Sequence, residues 1–117
     1  MSIEENPRVE KRKTIRAKFS DAINYQFKDT NDFGGCLAYD ISEGGIKIAF
    51  NDFVPVNTEM ILQMKLRNIP KVIDVTGRVV WAQRIPFSDR YQVGLQFTKT
   101  DPISQGEIRS YVRSHQP

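Results

Sequence analysis

Hydrophobic and polar residues alternate with a period of two along most of this chain. The alternation predicts strands, because successive side chains of a strand point to opposite faces of a sheet. The longest uninterrupted run has its apolar positions at Ile73, Val75, Gly77, Val79 and Trp81. Five further runs share this period. The first has apolar positions at Ile15, Ala17, Phe19, Ile23, Tyr25 and Phe27, with a break at Ser20-Asp21, and the second lies within residues 36–41. The other three have apolar positions at Ile46, Ile48 and Phe50; at Met60, Leu62, Met64 and Leu66; and at Tyr91, Val93, Leu95 and Phe97.

Turn-forming residues separate the six runs at short and regular intervals. Residues 29–35, 43–45 and 86–89 are rich in Asp, Asn, Gly, Ser and Pro, which favour turns. Six closely spaced strands predict a barrel, because closure removes the exposed edges that an open sheet would have to protect. We therefore predict an all-β fold built as a six-stranded antiparallel β-barrel.

The end of the chain has a different period. Asp101 followed by Pro102 is typical of a helix N-cap with proline in the first turn. Apolar and aromatic residues after it are spaced for one helical face, at Ile108, Tyr111, Val112 and His115. The sequence thus predicts a short C-terminal α-helix that covers an open end or flank of the barrel.

Length and composition fit one globular domain. The chain has 117 residues, of which 39% are hydrophobic and 26% charged, and no apolar run is long enough to span a bilayer. Residues 1–7 are polar and acidic, without the apolar segment of an export signal, so we expect a cytoplasmic protein with no membrane insertion. The predicted organisation is a flexible N-terminal arm (1–10), the barrel domain (11–100), and the helix with its tail (101–117).

The residue types of the chain give little indication of an enzyme. The only cysteine, Cys36, lies in a strand pattern and is predicted to be a buried structural thiol. The only histidine, His115, lies near the chain end and is predicted to be solvated, not a metal ligand or base. No Ser-His-Asp set, metal-ligand cluster or phosphate-binding glycine loop is visible. We expect neither an enzyme nor a metal or cofactor site.

Positive charge is concentrated near the N-terminus. The net charge is only +3, but six cations fall in one window: Arg8, Lys11, Arg12, Lys13, Arg16 and Lys18. Such a field attracts phosphates without distinguishing a small nucleotide from RNA, DNA or an anionic membrane surface. Two arginines with three residues between them occur three times in the chain, the third time as Arg109 and Arg113. The spacing alone is therefore a weak signal, typical of an ordinary solvated charge run.

A second candidate half-site is the turn Asp40-Ile41-Ser42-Glu43-Gly44-Gly45. It offers a carboxylate, a hydroxyl and open backbone, although any tight turn between strands uses the same residue types. Guanidinium groups from the basic stretch match the paired acceptors of phosphates and of a guanine edge. Because the basic stretch directly precedes the first strand, the two segments are interpreted as halves of one site for an anionic ligand.

These two segments resemble the signatures of the PilZ domain family. The signature R-x-x-x-R corresponds to Arg12-Lys13-Thr14-Ile15-Arg16, and [D/N]-x-S-x-x-G corresponds to the turn beginning at Asp40. The register with Arg12 and Arg16 is preferred to Arg8 and Arg12, since in the family the second arginine leads directly into the first barrel strand. Residues 77–81 and 93–97 are also similar to the family's later strands, so the resemblance covers roughly 8–100.

The resemblance implies non-covalent binding of the second messenger cyclic di-GMP on the barrel surface. Arg12 and Arg16 would contact guanine O6/N7 and phosphate, while Asp40 and Ser42 would hold a second guanine. Gly44 and Gly45 complete the implied ligand-binding set, with Gly45 letting backbone come close. Additional candidate contacts are Arg8, Lys11, Lys13 and Trp81. For Trp81, packing in the core or at its rim is favoured over stacking on the ligand.

The function implied is that of a receptor and adaptor. Ligand binding would order the arginine arm over the barrel and present a composite surface to a downstream partner protein. A small basic barrel that binds single-stranded nucleic acid is one alternative, although nucleic acid is the less favoured partner. A PilZ-like adaptor that binds no ligand is another. Arg109 lies outside both signatures, so we expect its replacement to leave ligand binding unchanged.

Overall fold

A computed structural model describes residues 16–67 and 69–115 of the chain. Within these ranges the chain forms seven strands and then one helix: β1 Arg16–Lys18, β2 Ala22–Phe27, β3 Phe33–Ser42, β4 Gly45–Phe50, β5 Glu59–Met64, β6 Ile73–Arg84, β7 Tyr91–Lys99 and α1 Pro102–Ser114.

The strands close into an antiparallel barrel. Their order is β1-β3-β2-β5-β6-β7-β4, and the additional pairing of β3 with β4 completes a ring of six strands, β2 to β7. Strand β2 pairs with the first half of β3, where Ala22 lies opposite Leu37, and β1 continues along the second half, where Arg16 lies opposite Ser42. Thus β1 and β2 lie end to end along the same edge of β3 and together occupy the place of one strand in the barrel. The predicted six-stranded barrel is confirmed, with its first strand broken around Ser20-Asp21.

The barrel interior contains the apolar positions of the alternating pattern. Ile48, Leu62 and Ile73 are fully buried there. Removing such side chains from water is the main stabilising contribution to a fold of this size, at about 1.5–3 kcal/mol for each fully buried aliphatic side chain. Because burial alternates along β5 and the first part of β6, the hydrophobic pattern also fixes the register there, since a slip by one residue would turn the apolar side chains outward.

The start of β3 differs from the prediction. The residue types predict a turn at Gly34 and Gly35, but both lie inside the strand, which begins at Phe33. The ring of Tyr25 on the neighbouring strand lies against Gly34, where an added Cβ would come within 2.9 Å of the phenol oxygen. Gly34 therefore provides room for an aromatic side chain instead of reversing the chain.

The predicted C-terminal helix is confirmed, including its cap. The Asp101 carboxylate accepts a hydrogen bond from the Ser104 amide at 2.9 Å, and Pro102 occupies the first turn. Tyr111 is buried against Phe19, with ring centroids 5.8 Å apart, and its hydroxyl donates to the Lys18 carbonyl at 3.2 Å. The helix therefore packs on the flank of the barrel beside β1 and β3.

His115 does not have the solvated environment predicted for it. Its imidazole stacks on the Tyr111 ring, with centroids 4.1 Å apart and an interplanar angle of 16°. Its Nδ1 lies 2.9 Å from the Tyr111 carbonyl oxygen. The prediction overlooked that a helix-terminal ring can fold back on an aromatic residue four positions earlier, on the same helical face.

Cys36 is half-buried and packs against the barrel core. Burial raises the pKa of its thiol from the ordinary value of 9.0 to about 11. At neutral pH the thiolate is then about 100-fold scarcer than in an exposed cysteine, since each pKa unit is a factor of ten. We expect iodoacetamide to alkylate Cys36 about 100-fold more slowly in the native protein than in urea. Equal rates in the two states would contradict this environment.

Candidate functional site

Arg16 lies at the centre of the candidate site. Its Nε and Nη2 atoms are each 2.6 Å from Oδ1 of Asp40, and its Nη1 donates to Oγ of Ser42 at 3.2 Å. This geometry follows from the pairing of β1 with β3, which places Arg16 opposite Ser42 and Lys18 opposite Asp40. The structure thus brings three of the predicted site residues into direct contact. Arg16 is the first residue of β1 and is therefore part of the barrel sheet.

The other atoms of this cluster are also engaged. The buried hydroxyl of Ser42 donates to the Gly45 carbonyl at 3.3 Å. The second carboxylate oxygen of Asp40, Oδ2, lies 3.4 Å from Nζ of Lys47. Lys47 is opposite Asp40 in the β3–β4 register, and the sequence interpretation missed it because cross-strand neighbours are known only once the register is known. One carboxylate therefore sits between two cations.

The signature glycines differ in their surroundings. An alanine Cβ at Gly45 would overlap the backbone carbonyl of Leu95 on β7, whereas nothing lies within 4 Å of a Cβ placed at Gly44. The amide of Phe97 donates to the Gly44 carbonyl at 2.8 Å, which fastens the turn to β7. Gly45 is thus required by close packing of two backbones, and Gly44 offers exposed backbone at the surface.

An open cavity of about 730 Å³ lies next to this cluster. We call it the ligand cavity; three surfaces form it, namely the signature turn, the outer faces of β6 and β7, and one face of α1. Its lining residues are Arg16, Ser42, Glu43, Gly44, Gly45, Ile46, Lys47, Val80, Trp81, Gly94, Leu95, Gln96, Arg109, Val112 and Arg113.

Trp81 lies in the wall of the ligand cavity, not in the core. The register of β6 on β7 shifts between Val79 and Trp81, so the alternation reverses and the indole is 39% exposed. The indole covers Gly94, where a Cβ would overlap its Nε1 atom. Gly94 therefore leaves room for the indole on the outer face of the sheet. An indole held open to a cavity offers a flat surface for a base.

The helix contributes two arginines that the sequence interpretation set aside. Arg109 and Arg113 both line the ligand cavity, and Nε of Arg109 lies 2.8 Å from Oε2 of Glu43 in the signature turn. Arg109, which lies outside both signatures in the sequence, therefore lies beside the second of them in the structure. The two paired residues are 66 positions apart, and only the folding of α1 against the barrel brings them together.

The remaining candidates are Arg8, Lys11, Arg12 and Lys13, which lie outside the described residues. Their place in the site stays a prediction. Within residues 16–67 and 69–115, no group of His, Cys, Asp and Glu side chains could hold a metal ion, and no helix is long and apolar enough to cross a membrane. What the described site offers is guanidinium forks, an ammonium, a carboxylate, a hydroxyl and an aromatic face, which together suit a planar, anionic ligand.

A family model for the PilZ domain matches residues 10–114. The chain belongs to the PilZ domain family. This match includes the arginine signature, the Asp-Ser-Gly turn and helix α1 with its two cavity arginines. No curated protein matches the sequence of this PilZ domain.

Several solved structures have the same fold as this PilZ domain. Bacillus subtilis MotI/DgrA, an inhibitor of motility, is 18% identical with a TM-score of 0.75, over 86% of this chain and 49% of the other. The K. pneumonia MrkH complex with c-di-GMP is 16% identical with a TM-score of 0.67, over 83% and 48%. The PilZ domain of Escherichia coli YcgR with c-di-GMP is 11% identical with a TM-score of 0.65, over 87% and 88%. This PilZ chain spans about half the length of MotI/DgrA and MrkH.

Proposed function

We propose that this PilZ domain is a receptor for cyclic di-GMP that passes the signal to a partner protein. The observation that carries the proposal is the contact of Arg16 with Asp40 and Ser42 beside the ligand cavity, which unites the two family signatures in one place. The c-di-GMP complexes of the similar YcgR and MrkH proteins support this choice of ligand.

Ligand binding exchanges internal contacts for contacts to the nucleotide. In the structure Arg16 contacts both Asp40 and Ser42, the groups proposed to hold guanine. The carboxylate of Asp40 can accept from guanine N1 and N2 donors, and the guanidinium can turn to O6/N7 or to phosphate. The exchange costs little, because a partly exposed ion pair contributes only about 0–1 kcal/mol.

Arg109, on the opposite wall of the ligand cavity, can likewise exchange an internal ion pair for a contact to the ligand. Its partner Glu43 is a carboxylate in the signature turn, and both side chains are exposed enough to move. A ligand phosphate placed between them would compete with Glu43 for the guanidinium, which binds phosphate in a bidentate manner. The indole of Trp81, open to the same cavity, would stack on a guanine base. The proposed ligand would therefore touch β1, the signature turn, β6 and α1.

The segment before β1 is proposed to supply the other half of the clasp. Arg12 would contact guanine or phosphate together with Arg16, and Arg8, Lys11 and Lys13 would add phosphate contacts. Closing of this segment over the nucleotide would create a composite surface, read by a cytoplasmic partner that controls motility, adhesion or polysaccharide export. The similarity to MotI/DgrA, named as an inhibitor of motility, supports a role of this kind.

Calorimetric titration together with tryptophan emission tests the proposal. Trp81 is the only tryptophan in the chain, so a change in emission reports on the ligand cavity. Cyclic di-GMP is expected to give both binding heat and a change in emission, and cyclic di-AMP, GTP and a short single-stranded RNA are expected to give neither. Absence of binding at tens of micromolar cyclic di-GMP, with the protein shown to be folded, would overturn the receptor function. Steeply salt-dependent binding of the RNA would favour the nucleic-acid alternative instead.

A further inference from the structure

A second cavity, of about 420 Å³, lies at the other end of β3 from the ligand cavity. The strand runs ten residues, from Phe33 beside this second cavity to Ser42 at the ligand site, a path of about 30 Å at the usual rise per residue. The two cavities share no lining residue. We call the second one the aromatic cavity; it is lined by Tyr25, Phe27, Asp29, Thr30, Asp32, Phe50, Asp52, Phe53, Val54, Pro55 and Thr58.

Aromatic rings form the floor of this cavity. The rings of Tyr25, Phe27 and Phe50 contact one another edge to face, with centroids between 4.8 and 5.8 Å apart. Phe53 lies at the entrance, 59% exposed, with its ring 5.8 Å from that of Tyr91. Ring faces attract cations, and the attraction grows when the cation is withdrawn from water.

Three carboxylates surround the rings. Among the described residues, no Lys or Arg forms an ion pair with Asp29, Asp32 or Asp52, whereas other surface carboxylates do form ion pairs. The pKa of the Tyr25 phenol is raised, first by burial and then by the negative charges of Cys36, Asp52 and Asp32. The field of two of these aspartates therefore reaches the aromatic floor. The rim of this cavity is negatively charged although the net charge of the chain is positive, and such a rim favours a positively charged ligand.

We propose that the aromatic cavity docks a basic segment of a partner protein, with an Arg or Lys side chain against the rings and its charge among the carboxylates. Apolar surface continues beyond the cavity, since Phe33 is 81% exposed and Val56, next to Pro55, is 53% exposed. A free polyamine would leave this surface uncovered, whereas a peptide segment would cover it. The rim charge repels nucleic acid. Docking here does not depend on the proposed ligand, because the two cavities are separate.

The test is a titration of the full, isotope-labelled chain with a blocked peptide of five Arg-Gly repeats, followed by amide chemical shifts at low salt. Shifts are expected to cluster on the residues of the aromatic cavity, and a Glu-Gly peptide should cause none. Asp32→Asn and Asp52→Asn each keep the side-chain shape and should weaken binding about threefold, the size expected of one exposed charge. Asp74→Asn, an equal charge loss on β6, is the matched control and should not weaken it. Phe53→Ala should also weaken binding, without a change in charge.

Four results would overturn the proposal. The shifts could map to another face, or the Asp74→Asn control could weaken binding as much as the two cavity variants. Spermidine could bind as well as the peptide, which would make a small amine the occupant. The amide signals of the aromatic cavity could also shift when the protein concentration is raised without peptide, which would mean that a second copy of the chain occupies the cavity. None of these outcomes bears on cyclic di-GMP binding, which is measured separately.

Discussion

Replacing Arg16 with alanine is expected to weaken cyclic di-GMP binding by about fivefold to 150-fold, the loss of one bidentate guanine or phosphate contact at about 1–3 kcal/mol. The fold should survive, because Asp40 keeps Lys47 as a partner and Ser42 keeps the Gly45 carbonyl. Calorimetric titration measures the affinity, and a urea unfolding curve establishes that the variant is folded.

Two further variants make this experiment specific. Arg16→Lys keeps the charge but loses the planar fork, so we expect an intermediate affinity if bidentate geometry matters. Arg90→Ala removes the same charge from an exposed position between β6 and β7 and should bind as the native protein does. Arg109→Ala is unsuitable as a control because that side chain lines the ligand cavity. Native affinity in Arg16→Ala would place the ligand elsewhere and refute the proposed site.

Gly45→Ala is expected to cause the largest loss of stability among simple changes in the signature turn. The added methyl group would overlap the Leu95 carbonyl, a backbone atom that cannot rotate away, so β4 and β7 would have to separate. Overpacking of this kind lowers the free energy of unfolding by about 1–3 kcal/mol. Neither signature glycine has a positive φ, so backbone strain adds nothing to the effect. Urea unfolding followed by circular dichroism measures the loss.

Gly44→Ala is the matched control for this prediction. It adds the same methyl group one residue earlier, where nothing lies within 4 Å, and should leave the unfolding midpoint nearly unchanged. Gly45→Ala should also weaken the ligand site, because the Gly45 carbonyl orients the Ser42 hydroxyl. Equal stability of the two variants would mean that the turn is not packed against β7 as described.

The hydrophobic pattern predicted the barrel well because most of its strands bury only one face. The pattern failed where the hydrogen bonding between β6 and β7 is irregular. The alternation in the sequence reaches Trp81 without interruption, but the register shift after Val79 turns the indole out to the ligand cavity. A bulge inserts a residue without altering the residue types, so periodicity alone does not reveal it. Gly34 and Gly35 indicate a turn by residue type alone, whereas in the structure Gly34 leaves space for the Tyr25 ring.

Local signals identified part of the residue cluster around Arg16, and distant neighbours in that cluster went unpredicted; the ligand-binding roles of all of them stay a prediction. Asp40 and Ser42 end β3 and Gly45 begins β4, so the three are close in sequence. Arg16 reaches Asp40 and Ser42 because β1 is the strand that pairs with that part of β3. Lys47 and Arg109 carry no motif, and their places depend on the β3–β4 register and on the packing of α1. These two cations of the site are therefore a property of the tertiary structure, not of the motif.

The attachment of α1 to β1 has a practical meaning for protein engineering. Tyr111 packs on Phe19 and bonds to Lys18, both within three residues of Arg16, so the helix supports the strand that carries the central guanidinium. A truncation after Thr100 would expose Phe19 and remove the wall that holds Arg109. A reporter or affinity tag should accordingly be joined downstream of residue 115. A biosensor based on this domain should include α1 and leave its packing on β1 undisturbed.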